Sequence, residues 1–487
     1  MEQETPLLNN CEASNTTHDT PDDDGIHLTA ASERNEKTWR RIDHRTLLLN
    51  CLWTLLPRYL HPEGRKEYSK AKLHPTAYLD AVRGYAAVIV FFYHGWKETT
   101  LWVFRLPFIR TFILGGPGMV AVFFVISGYV LSYRMLKLIR NQESALLLDA
   151  FSSSMFRRWL RLYGSTSVAT FIAACCVSLG WFIPLPDLAQ PTFLAQMWNW
   201  LLSTIAFSNP FANIDGWMHP GVFFTPYLGQ MWTIPIEYRG SIILFCFAIS
   251  AAKLSVRSRM LYLWVVVLLC YFWRCVYIPE FLLGMFIAEL SFLRHPERLG
   301  RPTLPMEENE KLSSRHSKLW QLSKAIATPI GSSIALVIGI LLLGQPDPPN
   351  LGAAGPFPFQ YLVHFIPPWF GDAAYTFWLS IGAFLVILAL DSCTILQQPF
   401  TWGFSQYIGD LSFGIYAIHV LWIDVLYLKV LVPWQAIYLG DSYPAYIPGI
   451  LVLSICMMWS ADYFRRVDRL IVNLSRWLQT ISFQKWQ

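Results

Sequence analysis

The stretch Leu79–Trp96, LDAVRGYAAVIVFFYHGW, reads as a membrane span that nevertheless carries Asp80, Arg83 and His94. Its long apolar run predicts a helix, because backbone N–H and C=O groups in hydrocarbon find no water and must pair within their own segment. Ionisable side chains are expensive there, so they face a polar interior and mark function. On a helix, Arg83 and His94 share a face about 16 Å apart along the axis, and Asp80 lies one turn below Arg83 on nearly the same side. A charged group at the mouth and an imidazole deep inside define a route. The competing reading is that Asp80 and Arg83 pair at the interface while His94 hydrogen-bonds a neighbouring helix.

The rest of the 487-residue chain supports a membrane setting: 54% of its residues are hydrophobic, and the mean hydropathy is +0.35. Ten apolar runs are of spanning length or nearly so, at 77–96, 112–133, 161–183, 229–252, 259–273, 278–293, 325–344, 374–392, 406–431 and 445–464. Lys and Arg crowd residues 1–76, 134–161, 253–259, 294–324 and the segment after Arg465, whereas 184–228 and 345–373 contain neither. Ten spans with both termini cytoplasmic put every basic cluster inside and both bare loops outside, as the positive-inside tendency requires. The expected fold is therefore an all-α polytopic membrane protein, a bundle of about ten transmembrane helices. The net charge of +5 is topological and gives no reason to expect a nucleic-acid partner; the lipid bilayer is the partner it implies.

Three regions follow. Residues 1–76 form a cytoplasmic N-terminal region, disordered at its acidic start and then amphipathic over 45–60. Residues 77–464 form the membrane domain. Residues 465–487 form a cytoplasmic tail in which Val467, Leu470, Ile471, Leu474, Trp477, Leu478 and Ile481 make one helical stripe, as an interfacial helix would. No cleavable signal peptide is read at the start. Seven of the nine cysteines lie in or beside spans, and no CxxC pair exists, so neither a disulfide framework nor a metal site is expected. The sequons at Asn15 and Asn473 fall on the cytoplasmic side and should remain unglycosylated.

Four further stretches carry polar groups into the membrane. In FRRWLRLY (156–163), Arg158 and Arg161 are neighbours on one helical face beside Arg157; paired guanidinium groups suit phosphates, though arginines before a span also anchor topology. In GQMWTIPIEYRG (229–240), Glu237 borders a cavity or pairs with an arginine. In IGDLSFGIYAIHVLWID (408–424), Ser412, Tyr416 and His419 form a polar stripe read first as an interhelical network. In GGPGMVAVFFVISGYVLSYR (115–134), Gly118, Ser127 and Gly128 read as close-packing positions.

Taken in order, these pieces resemble the acyltransferase 3 family of integral-membrane acyl-CoA-dependent O-acyltransferases. The resemblance rests on Arg83-x10-His94, GGPGMVAVFFVISGYVLS, Arg158-x-x-Arg161, MWTIPIEY with Glu237, and LSFGIYAIH ending at His419. Pro235 departs from the family's usual pattern before the glutamate. The resemblance implies transfer of an acyl group, commonly acetyl, from cytosolic acyl-CoA to a hydroxyl. Acyl-CoA is then a co-substrate, with no permanently bound cofactor. On that reading His94 and Glu237 are catalytic and Arg83, Arg158 and Arg161 hold the donor. Asp80, Tyr416 and His419 line or support the site. The acceptor expected is a small lipophilic alcohol such as a terpenoid, polyketide or sterol, handled in the endoplasmic reticulum or another internal membrane. A cell-surface glycan is the alternative acceptor. A transporter also explains buried Arg, Glu and His, but transporters tend to show repeated halves, and no repeat is present. A signalling or lipid-binding protein that has lost activity is the third reading, against which the retained Arg83 and His94 count.

Overall fold

A computed structural model describes residues 56–61, 64, 65, 68, 73–95, 102–210, 225–300, 329–346, 355–440 and 442–483. The acidic N-terminal start, most of the amphipathic 45–60 stretch, Asn15 and the basic segment 301–324 lie outside them. The described residues contain no strand. The principal helices are α1 (Ala77–Gly95), α2 (Gly116–Asn141), α3 (Ser144–Ser178), α4 (Phe193–Phe207), α5 (Thr233–Ser250), α6 (Val256–Phe272), α7 (Tyr277–Arg294), α8 (Pro329–Leu342), α9 (Phe377–Ser392), α10 (Gly403–Trp422) and α11 (Tyr446–Ser482). Every one of the ten apolar segments falls on one of them. Six of the described helices are long and apolar enough to cross a bilayer, at Gly116–Asn141, Ser144–Ser178, Gly229–Ser250, Ala373–Ser392, Gly403–Tyr438 and Tyr443–Ser482. The chain is an all-α polytopic membrane protein.

Two glycine-mediated crossings set the core. A side chain on Gly84 of α1 would meet the Ile408 backbone at 2.5 Å, and one on Gly409 of α10 would meet the Asp80 backbone at 2.7 Å. Likewise, a Cβ on Gly128 of α2 would sit 2.0 Å from the Phe281 carbonyl oxygen, and one on Gly284 of α7 would sit 2.1 Å from that of Val125. In lipid, where water no longer drives helices together, such backbone approach supplies the packing. These two pairs, α1 with α10 and α2 with α7, carry Arg83, His94, Glu280, Tyr416 and His419, while α3 and α5 carry Arg158, Arg161 and Glu237.

Buried ion pairs gather where the basic loops begin. Arg140 donates to Glu289 at 2.9 Å, and Arg259 reaches the same carboxylate. Asp391 accepts from Arg294 at 2.9 Å, Tyr129 at 2.9 Å and Tyr78 at 3.2 Å. The outer faces of the bundle are apolar instead, with Ile330, Ile455, Leu268 and Phe272 exposed, as a lipid-facing surface should be.

The helical architecture differs from the sequence reading in two places. The first bare loop contains α4, begun by Thr192, whose hydroxyl accepts from the Ala195 N–H at 3.2 Å; its Phe193, Leu194 and Trp198 are exposed. At 15 residues it is short for a crossing. Secondly, the last span and the tail are one unbroken 37-residue helix, α11, about 55 Å long against a hydrocarbon core of about 30 Å. Its extension lies along α3: Ser165 donates to Asp468 at 2.6 Å and Ser153 to Gln479 at 3.1 Å. Part of the tail's apolar stripe, including Leu470, Trp477 and Ile481, remains exposed.

Candidate active site

Three cavities follow one another through the bundle. The largest, about 240 Å³, is lined by His94, Gln230, Trp232, Glu280 and Tyr416 among others. It lies where α1 ends and where α2, α5, α7 and α9 begin, hence in one half of the membrane. The middle cavity, about 40 Å³, is lined by Arg83, Phe123, Thr233, Glu237, Ser412 and Phe413, together with Val120 and Tyr416 that also line the first. The third, about 20 Å³, is bounded by Ser154, Arg157, Arg158, Arg161, Phe245 and Ser475. It opens toward the end of the bundle where α11 docks on α3. Arg83 and His94 thus face successive chambers that share a wall.

The arginine end is built on α3. Arg158 is buried and lines the third chamber, next to the Glu237 that lines the middle one. Its Nη2 donates to Glu237 at 2.7 Å and its Nε to Ser241 at 3.0 Å. Its buried Nη1 has no hydrogen-bond partner among the described residues. Arg157 is held by Ser153 Oγ at 2.9 Å, and Arg161 lies within electrostatic range of Asp80. Arg83 pairs with Asp80 at 3.4 Å across one helical turn. Three guanidinium groups on one cavity wall, with one edge of Arg158 unclaimed, form a site suited to phosphate.

Glu237 does not reach the imidazole. Its carboxylate accepts from Ser127 at 2.7 Å as well as from Arg158, and it lines the middle cavity rather than that of His94. In this structure Glu237 is the counter-ion of Arg158 rather than a hydrogen-bond partner of His94. Ser127, read from sequence as a small packing residue, is a ligand of that carboxylate.

His94 sits at the last turn of α1 with its ring in the large cavity. Among the described residues neither ring nitrogen is engaged in a hydrogen bond. Its ring lies 5.2 Å from that of His419, tilted by 36°. His419 is fully buried, and its Nδ1 lies 2.8 Å from the Tyr416 carbonyl oxygen and 3.2 Å from that of Ile415. A carbonyl only accepts, so Nδ1 carries the proton and a neutral ring presents its lone pair at Nε2. That Nε2 has no partner among the described residues and belongs to the ring facing His94. Tyr416, by contrast, ties α10 to the start of α5: its hydroxyl lies 2.6 Å from Thr233 Oγ1 and donates to the Gln230 carbonyl. Of the polar stripe on α10, then, only Tyr416 makes an interhelical hydrogen bond; Ser412 Oγ is buried without a partner. No group of three His, Cys, Asp or Glu side chains suited to a metal occurs among the described residues.

Two cavity residues escaped the sequence reading. Glu280 is 1% exposed in the first turn of α7, and Gln230 precedes α5. An acidic residue inside an apolar run, here IPEFLLGMF, was signal enough for Glu280. Gln230 carries no charge and gives no such signal.

Residues 76–466 match the family model described as Acyltransferase domain. The chain is similar to the O-acetyltransferase PaAT-1 of Phomopsis amygdali, with 29% identity over 88% of each protein. It is also similar to Acyltransferase R4 of a Phoma species and to Acyltransferase clz18 of Cochliobolus lunatus, each 22% identical over 71% of this chain and 82% of theirs. No solved structure matches.

Proposed function

This chain belongs to the acyltransferase 3 family and is an integral-membrane O-acyltransferase; from that premise we propose that it moves an acetyl group from cytosolic acetyl-CoA to the hydroxyl of a small lipophilic metabolite. The donor's phosphates lie on Arg157, Arg158 and Arg161, and its pantetheine arm runs past Arg83 and Tyr416 toward His94. The middle chamber is narrow, so Phe123 and Phe413 turn aside as the arm passes. The orientation follows the charge bias of the loops, which places the arginine end at the cytosol. An internal membrane is the setting this reading favours.

The observation that carries the proposal is the imidazole of His94, unengaged among the described residues, in a chamber that shares Val120 and Tyr416 with the middle cavity, whose Glu237 is bonded to Arg158 of the arginine-lined mouth. At His94, one ring nitrogen accepts the proton of the acceptor hydroxyl while the oxygen attacks the thioester carbonyl. The C–O bond forms and the C–S bond breaks. The leaving thiolate then takes the proton back from the imidazolium, so that ester and CoA thiol are the products and the enzyme is unchanged. Glu237 contributes by holding Arg158 in place. A lipophilic acceptor reaches the chamber from the bilayer, consistent with the apolar and aromatic residues around it.

The test is label transfer by purified protein. With [14C]acetyl-CoA and a lipid extract of cells lacking the gene, the wild type should form a labelled ester. His94→Ala should lower kcat by about 10²–10⁴-fold, the usual worth of a general base, while still binding acetyl-CoA. A His94→Ala variant with unchanged turnover would end the proposal.

A further inference from the structure

The large cavity contains polar atoms that acyl transfer at His94 leaves unused. Glu280 is essentially inaccessible, and among the described residues its Oε2 has no hydrogen-bond partner. No cation pairs with it among the described residues. Gln230 donates through Nε2 to the Ala417 carbonyl at 3.3 Å, which fixes the amide so that its Oε1 is the free end; that oxygen is also buried and unpartnered. Both residues line the same cavity as His94. Other polar groups on this wall are already satisfied: Thr376 donates to the Ala373 carbonyl at 2.7 Å, and Tyr416 is held by Thr233 and Gln230. Buried polar groups in native proteins find partners, and an exception calls for one that is bound from outside. An unpaired buried carboxyl is among the costliest exceptions.

We infer that Glu280 and Gln230 form a subsite for the acceptor, and that the acceptor is a lipophilic alcohol carrying a second hydroxyl. This rests on the acyl-transfer reading and extends it to substrate class. The first hydroxyl gives its proton to His94. The second occupies the space before Glu280 and Gln230. A hydroxyl suits both, because it donates to the amide oxygen or to a carboxylate and can equally accept from a protonated carboxyl. A monohydroxy terpenoid or sterol would leave Glu280 desolvated and unpaired, so the site selects against it more strongly than any apolar pocket could.

The same hydrogen-bonding chemistry exists in the amides of the pantetheine arm. The order of the chambers argues for the acceptor instead. With the thioester carbon at His94 and the phosphates at the arginines, the amides trail behind in the passage lined by Arg83 and Tyr416. Glu280 is absent from that passage; it lines only the chamber reached by the acyl end.

The experiment compares wild type, Glu280→Leu and Glu280→Gln in detergent. The probes are [14C]acetyl-CoA and the lipid extract of the gene-deleted strain, each titrated at a fixed level of the other. Glu280→Leu should raise half-saturation by extract about 10- to 100-fold, the cost of leaving the acceptor's buried hydroxyl without its partner. Its KM for acetyl-CoA should stay within about twofold of wild type, and Glu280→Gln should show the same split in weaker form. Retained acetyl-CoA binding certifies each variant's fold, and if Glu280→Leu fails that check, Glu280→Gln alone decides. The labelled product should still take up a silyl group, reporting a remaining hydroxyl. A shift confined to the acetyl-CoA KM would assign Glu280 to the pantetheine amides and overturn the inference. So would an unchanged extract titration, or a product without a free hydroxyl; in each of those cases acyl transfer itself stands. Absence of labelled product from the wild type would overturn both readings.

Discussion

Removing Glu237 should unbalance a buried charge before it disturbs any chemistry. Arg158 and Glu237 are 2% and 5% exposed and 2.7 Å apart, with Ser127 and Ser241 completing their shells. Truncating one partner of such a pair leaves the other as an uncompensated ion and costs about 3–5 kcal/mol. At about 2 °C per kcal/mol, the value for longer chains, Glu237→Met should lower the thermal midpoint by roughly 6–10 °C, and Arg158→Met by a similar amount. The double variant removes both ions and fills their space with apolar atoms, a replacement that is often neutral. Its midpoint should therefore return to near the wild-type value. Differential scanning fluorimetry of the four proteins in one detergent closes the cycle. Two additive losses, leaving the double variant less stable than either single one, would refute the pairing argument. Kinetics supply a second arm. Glu237→Gln should raise the KM for acetyl-CoA while leaving kcat near wild type, because the carboxylate acts through Arg158; a collapse of kcat at constant KM would place Glu237 in the proton relay after all.

His419 and the glycine crossings yield two further outcomes. His419→Ala should lower kcat roughly tenfold, about 1.4 kcal/mol in barrier, because it removes the ring that lies 5.2 Å from that of His94, with the acetyl-CoA KM unchanged. A loss of thermal stability with kcat intact would show instead that the second histidine is only packing. Gly128→Ala and Gly409→Ala place a methyl 2.0 Å and 2.7 Å from facing backbone atoms and should destabilise by about 1–3 kcal/mol or more. Gly229→Ala, with nothing within 4 Å, is the matched control. Equal midpoints for all three would mean that these helices do not cross where described.

The legible part of this protein was the part written in one-dimensional periodicity and charge. Apolar runs located the helices because a span must be both long and self-bonded, and Arg83 and His94 could be assigned to one face because eleven residues make three turns. What could not be read was partnership across helices. Glu237 offers the clearest case: its sequence neighbourhood gave it a depth, but whether its carboxylate met an imidazole or a guanidinium depended on how α3 and α5 rotate against each other. A third helix, α2, also takes part, because its Ser127 donates to the same carboxylate. The helix that runs on past residue 464 was hidden for a different reason. Hydropathy changes there from apolar to mixed, yet nothing in the following residues breaks a helix, so α11 continues and spends its polar groups on α3. Glu280 was legible on the same grounds as Arg83 and His94, because the cost of burying an ionisable group in an apolar run marks it as interior. Arg140, Arg259, Arg294 and Arg158 each have a carboxylate in reach, so this fold does pair the charges that serve structure. Glu280 Oε2, left without a partner among the described residues and in the chamber of His94, departs from that pattern, which is the ground for assigning its partner to the substrate.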